Sequence, residues 1–329
     1  MNSNKHIHTF FNINSKYTYV ASICISSILS NLNKDYKISF YILSKDLKEE
    51  DKEKLQSLKH IKEYDIEFIE IDESVFTKKI ESSQTHISFE TNYRFLASSV
   101  KPNLDKCIYL DVDLIVLGDL SKLWEINIDE YYMAGVMDQL PLIWKEGFEK
   151  LPLAKDYLYV NTGVTVFNLK KWREDDIEKK LLEGFERYSS IIKYPDQDVL
   201  NISLQGKVKY LDLKYNAMPV QQYKNEKFYK QAFKDPFIVH WAGYRKPWIY
   251  AYVKYGNEFL KYAKKLPFYD EFMYKYTKLI DKECLQNYED KFKTLYDLKP
   301  VFDNSINICS IFDWNYAPYF AVLLQSIIE

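Results

Sequence analysis

Ten residues, Cys107-Ile108-Tyr109-Leu110-Asp111-Val112-Asp113-Leu114-Ile115-Val116, constrain this chain more than any other stretch. Two carboxylates stand two positions apart inside an otherwise unbroken apolar run. Nothing alternates and β-branched residues are frequent, so the run predicts one buried strand of a parallel sheet. Burying two anions at a strand end is costly unless something cancels them. A hard divalent cation that itself holds a substrate phosphate is the usual solution. The run therefore points to a metal–phosphate site at the carboxyl end of a central strand. A strand-end salt-bridge pair is the plainer competitor.

The elements around this run set it in a larger pattern. Residues 7–12 predict a first strand, the polar Asn14-Ser15-Lys16 a turn, and residues 17–32 a helix with apolar groups at helical spacing. Strands follow at 38–43 and 66–71, separated by a charged amphipathic helix at 48–58. Residues 91–100 predict a helix that ends before Pro102 and delivers the chain into the carboxylate strand. Beyond it, 133–137 and 159–167 read as strands, and 170–192 as a helical region. A further helix begins at Pro195, with Asp196 or Asp198 near its N-terminus. Alternating strands and helices argue for a parallel sheet with helices on both faces. Ligands of such sheets sit beyond the carboxyl ends of strands, where the two acids fall.

At 329 residues the chain has room for one or two domains. A net charge of −2 gives no basis for capturing nucleic acid. The four cysteines, Cys24, Cys107, Cys284 and Cys309, share no metal or disulfide spacing and read as reduced thiols of a cytosolic protein. No signal-peptide pattern opens the sequence, and no apolar run approaches the ~20 residues of a membrane helix. Residues 251–300 are polar, aromatic and helical in period. They predict a helical extension, either simply peripheral or an interfacial surface that holds the protein at a membrane.

Chemistry gathers in four segments. Asp111 and Asp113 could hold a cation. Phe237-Ile238-Val239-His240 is an apolar strand ending in a histidine, followed by Gly243 and Lys246. Together these could complete a metal shell and neutralise a phosphate, and mixed Asp/His ligation suits Mn²⁺ better than Mg²⁺. Asn161 and Asp196-Gln197 offer hydrogen bonds to hydroxyls.

At this level of detail the sequence resembles glycosyltransferase family 8, the retaining, metal-dependent galactosyl- and glucosyltransferases of bacterial lipopolysaccharide and lipooligosaccharide synthesis. The matching segments are His86-Ile87-Ser88, Thr91 through Arg94, Tyr109 through Asp113, Asn161-Thr162-Gly163-Val164, Tyr194 through Asn201, Asn216-Ala217-Met218-Pro219 and His240 through Trp248. They stand in the family's order. The resemblance implies a GT-A fold over residues 1–250, an α/β nucleotide-diphospho-sugar transferase with a C-terminal helical extension. It implies that Asp111, Asp113 and His240 bind Mn²⁺, which bridges the diphosphate of a UDP-hexose, with Mg²⁺ the alternative. Lys246 and the Gly243 backbone would also hold the diphosphate. Val112, between the two acids, and His86 match positions at the nucleotide. Arg94, Asn161, Asp196 and Gln197 would contact the donor sugar, and Asp138 would line the donor and acceptor sugars. Gln197 takes the β-face position, where an amide is a poor nucleophile, so front-face substitution is expected. The implied partners are a UDP-sugar donor and a saccharide or glycolipid acceptor, at the inner face of the cytoplasmic membrane.

One departure concerns the first turn, where Asn14 stands in place of the family's usual acid; Tyr17 keeps an aromatic able to stack on the base. A second concerns the end of the chain. Laid over the first strand and helix, residues 301–329 place Ile306 on Ile7, Asp313 on Asn14, Tyr316 on Tyr17 and Ser326-Ile327 on Ser27-Ile28. This predicts the truncated start of a second glycosyltransferase-like repeat. Two other classes compete: a degenerate sugar-nucleotide-binding scaffold, and a haloacid-dehalogenase-type phosphatase, which also places Asp-x-Asp after an apolar strand. The phosphatase would have no need of the Asn-Thr-Gly, Asp-Gln-Asp and His-x-x-Gly-x-x-Lys segments.

Overall fold

A computed structural model describes residues 5–77, 88–250 and 253–275. A 7-stranded sheet organises it, in the order β3-β2-β1-β4-β7-β6-β8. Its strands are β1 (His6–Asn12), β2 (Lys37–Ser44), β3 (Asp65–Glu70), β4 (Lys106–Leu110), β6 (Met133–Met137), β7 (Val160–Asn168) and β8 (Val208–Leu211). Two short strands, β5 (Leu114–Val116) and β9 (Ile238–His240), form a separate antiparallel pair. The parallel sheet expected from the sequence is found with one reversal. β7 pairs antiparallel with both neighbours, and the other pairings run parallel. The reversal matters for function. It brings the N-terminal residues of β7, Asn161 to Gly163, to the same edge as the C-terminal ends of β1 and β4.

Residues 107–116 do not make one strand. The ladder of β4 continues through Asp111, whose amide donates to the Gly163 carbonyl at 2.8 Å, and then breaks at the acids. Chain resumes as β5, opposite β9, with Leu114 facing His240. The break has a physical cause: β5 is captured by the long helix beside it. Ser27 Oγ accepts the Val116 amide at 2.9 Å, and Asn31 Nδ2 donates to the Val116 carbonyl at 2.9 Å. Both acids are left in the connection between two fixed strands.

That helix, Thr18–Asn31, is buried almost all round. It carries four serines at no cost in orphaned hydroxyls, because Ser22, Ser27 and Ser30 donate to carbonyls three or four residues back and Ser26 donates to the Tyr262 carbonyl. Its outer side packs against helix Gly256–Ala263, whose Phe259, Tyr262 and Ala263 join the same apolar cluster as Ile23, Ile28 and Trp241. The described part of the C-terminal region is thus sealed onto the core of the sheet domain.

Two expected helices differ. Residues 91–100 predict an α-helix, whereas Phe89–Leu96 winds as a 3₁₀ helix before a short α-turn at Ala97–Val100. Thr91 Oγ1, Asn92 Nδ2 and Arg94 Nε each donate to the carbonyl three residues back, which favours the tighter winding. The region 170–192 splits into Leu169–Glu174 and Ile177–Arg187. Asp176 at the break has φ +52°, a left-handed conformation that Asp tolerates better than most residues. The beginning of the predicted second repeat, the remainder of the helical extension and His86 lie outside the described residues.

Candidate functional site

A cleft of about 650 Å³ opens over the edge shared by β1, β4 and the start of β7. Asp111, Asp113 and His240 meet in its floor. One ligand atom from each lies within 4.8 Å of the others, the one such three-residue group among the described residues. His240 Nε2 is 3.1 Å from Asp113 Oδ1 and 3.8 Å from Asp111 Oδ2. Lys246, buried, touches Asp113 Oδ2 and donates to the Trp241 carbonyl at 2.8 Å. Burial alone would raise the Asp113 carboxyl, but Lys246 and His240 beside it hold it well below the usual carboxylate range.

The hydrogen-bond network determines which nitrogen of His240 is free. The Gly163 amide, an unambiguous donor, bonds Asn161 Oδ1 at 3.1 Å. Asn161 Nδ2 therefore points at Asp138 Oδ2, 3.0 Å away. Asn216 must present its own Nδ2 to Asn161 Oδ1, at 2.8 Å, which turns its Oδ1 toward His240 Nδ1 at 2.9 Å. Nδ1 thus carries a proton, and Nε2 is the nitrogen that faces the space between the two aspartates, where a cation would take its lone pair. Gly163 is the only residue type that fits here: a Cβ would lie 2.3 Å from His240 Cε1 and 2.6 Å from Asp111 Oδ2.

Arg94 occupies the next position along the cleft. Its guanidinium, fully buried, reaches Asp111 Oδ1 at 2.9 Å and Asp196 Oδ2 at 3.2 Å. Nη1 donates to the Thr162 carbonyl at 2.8 Å, and the guanidinium stacks over the Tyr109 ring at 3.9 Å. Burial opposes its charge, yet Asp196, Tyr109 and Asp111 outweigh burial and raise its pKa. Gln197 is tied at both ends, its Oε1 accepting the Thr162 amide at 3.1 Å and its Nε2 donating to Asp138 Oδ2 at 3.3 Å. Asp138 is buried and receives donors from Leu140, Asn161, Gln197 and Gln221. Burial nevertheless pushes its carboxyl up. Two carboxylates and an imidazole at one end and hydrogen-bonded carboxylates and amides at the other line one continuous cleft. The sequence matches the description "Glycosyl transferase family 8" over residues 8–251. The chain belongs to glycosyltransferase family 8.

The relatives of this family 8 protein include enzymes of named specificity. The lipopolysaccharide 1,2-glucosyltransferase of Escherichia coli is 30% identical over 246 residues, 72% of this chain and 71% of that protein. The lipopolysaccharide 1,3-galactosyltransferase of Salmonella typhimurium is 25% identical over 245 residues, 72% of each. Among solved structures, the galactosyltransferase LgtC in complex with donor and acceptor sugar analogues superposes with a TM-score of 0.71 at 25% identity, covering 79% of this chain and 96% of LgtC. The GT-A fold and a hexosyltransferase activity follow, and the phosphatase and inert-scaffold readings fall away.

Every described site residue expected from the family 8 resemblance lines the cleft, and His86 lies outside the described residues. Asn14 and Tyr17 stand at the mouth beyond β1, where Asn14 Oδ1 accepts the Lys16 amide at 3.2 Å and Tyr17 packs edge-on to Trp248. Val112 and Gly243, with φ +98°, line the same cleft as the Asp111–Asp113–His240 group. Asp196 and Asp198 divide their work. Asp196 turns to Arg94, while Asp198 accepts the Lys193 and Tyr194 amides and the Tyr159 hydroxyl, fastening the start of helix Pro195–Leu204. Thr162, Trp144 and Gln221 line the cleft without having been singled out from sequence, and Asn216 supports it from behind His240. Asn216 and Thr162 lie inside recognised segments, whereas Trp144 and Gln221 carry no local signal.

Proposed function

We propose that this family 8 enzyme is a metal-dependent, retaining hexosyltransferase that moves galactose or glucose from a UDP-sugar to a saccharide acceptor of a bacterial surface glycan. The observation that carries the reading is the Asp111–Asp113–His240 triangle with His240 Nε2 directed into it. Two carboxylates and one imidazole form a donor set suited to Mn²⁺. A divalent cation held there would neutralise the diphosphate as negative charge builds on it. Lys246 and the Gly243 backbone stand on the same side and would share that work.

Arg94, Asp196, Asn161 and Gln197 are placed to read the hydroxyls of the hexose. Asp196 is engaged by Arg94, and Gln197 is an amide with both ends bonded, so neither is a free nucleophile on the β face. Retention is then best served by front-face substitution. The bond from C1 to the β-phosphate oxygen breaks, the acceptor oxygen joins C1 on the same face, and its proton passes to the departing phosphate. The names of the relatives favour lipopolysaccharide or a similar glycan as the acceptor. Among the described residues no helix is long and apolar enough to cross a membrane.

The test is a panel of UDP-hexoses with Mn²⁺, reading released UDP. UDP-galactose or UDP-glucose should turn over, and Asp113→Asn or His240→Ala should lower the rate about 10²-fold or more. Turnover with another nucleotide sugar alone would sink the uridine assignment. Metal-independent turnover, unchanged in Asp113→Asn, would sink the metal one.

A further inference from the structure

Asp138 divides the cleft in two. Its Oδ2 collects Asn161 Nδ2 and Gln197 Nε2, the amides assigned to the transferred hexose. Its Oδ1 collects a different pair, the Leu140 amide at 2.9 Å and Gln221 Nε2 at 3.3 Å. Neither residue of the second pair has a role in holding the nucleotide or the metal. The Leu140 bond anchors the short helix Leu140–Ile143, and the Trp144 amide closes it by donating to the Leu140 carbonyl at 2.8 Å. Trp144 is thereby fixed one turn beyond the sugar-reading carboxylate, with its indole 61% exposed and lining the cleft.

A large exposed aromatic needs an explanation when, among the described tryptophans, Trp124, Trp172 and Trp241 are buried and Trp248 is half-buried. Pyranose rings supply one. Their faces carry C–H groups and their rims carry hydroxyls, so an indole face and a nearby amide match them. Gln221 provides the amide. Its Oε1 is buried at the cleft with no partner among the described residues, and a hydroxyl donor would satisfy it. The opposite end of the cleft, near Asn14 and Tyr17, is the nucleotide end, so this pair does not compete with the base.

We propose that Trp144 and Gln221 form the acceptor subsite, Trp144 as the stacking platform for the ring of the acceptor saccharide and Gln221 as the acceptor for one of its hydroxyl protons. The proposal rests on the transferase reading given above. Steady-state transfer with varied acceptor and varied donor tests it, alongside saturation-transfer NMR of methyl β-galactoside, methyl β-glucoside and lactose. Trp144→Ala should raise the acceptor KM about tenfold while the donor KM stays in place, with Trp144→Phe recovering most of the loss. Gln221→Ala should raise the acceptor KM in the same direction. In the NMR experiment, ring C–H signals of a bound saccharide should weaken in Trp144→Ala. An unchanged acceptor KM in Trp144→Ala, or a donor KM that rises by the same factor, overturns the proposal. If no UDP-hexose turns over, the transferase reading fails, and the NMR arm still decides this one. Signals equal in the parent and Trp144→Ala proteins, or absent from the parent with all three saccharides, overturn it.

Discussion

At the scale of single residues, the site is organised by a chain of amides that begins at a backbone N–H. Gly163 fixes Asn161, Asn161 fixes Asn216, and Asn216 fixes the tautomer of His240. A histidine placed beside two aspartates without that chain could equally present Nε2–H, a donor useless to a cation. Asn216→Ala should therefore weaken Mn²⁺ binding about 10- to 100-fold while leaving all three ligands in place. A Mn²⁺ titration read by the free-ion EPR signal measures it, and an affinity equal to the parent's would refute the relay. Sequence made the grouping of Asp111, Asp113 and His240 legible and left the relay hidden. An Asp-x-Asp at a strand end and a histidine before Gly-x-x-Lys advertise charge that needs cancelling. Asn216 advertises nothing, because an amide in a loop is ordinary until its partners are known. Trp144 is hidden for the converse reason: an isolated aromatic in sequence reads as core.

At the scale of elements, the decisive events are a break and a reversal. The apolar pattern of 107–116 cannot reveal the break, since Cys107 to Leu110 of β4 and all of β5 are buried and periodicity is silent inside a buried run. What ends β4 is capture of β5 by Ser27 and Asn31, residues distant in sequence. The reversal of β7 is equally invisible locally, yet it delivers Gly163 to His240 and Asp111. There the absent side chain is itself a design element. Gly163→Ala would drive a methyl into the His240 ring and the Asp111 carboxylate, and both are held by strand pairings that cannot retreat far. The expected cost is about 1–3 kcal/mol of stability, as for other overpacked sites, with metal-dependent turnover reduced to a small residue. Thermal melts and the Mn²⁺ dependence of UDP release check both parts. Full activity with an unchanged melting temperature would show that the cradle has slack that the distances do not suggest.

At the scale of the whole molecule, the edge of the sheet opposite the cleft governs how the fold meets acid. His8, early in β1, accepts or donates a hydrogen bond with the Tyr41 hydroxyl at 3.1 Å and packs against His6 and the edge of Trp124. Burial, with His6 and Lys101 adding positive charge nearby, lowers its pKa from 6.5 to about 4. In the unfolded chain His8 binds a proton near its ordinary pKa, while the folded chain refuses it until far lower pH. Between pH 6.5 and about 4 the unfolded state thus carries more protons, and stability falls as pH falls. Asp113, depressed by Lys246 and His240, acts in the same direction but only below its ordinary value of 3.8. Asp138 and Asp198, raised by burial, act oppositely above that value, so the parent profile alone mixes signs. The difference between the parent and His8→Gln removes that mixture. Glutamine keeps a hydrogen bond to Tyr41 and cannot titrate, so urea midpoints of His8→Gln should fall less steeply than the parent's from pH 6.5 to 4 and run parallel to it above pH 7. Parallel profiles over the whole range would mean that His8 takes up its proton in the folded state as readily as in the unfolded one.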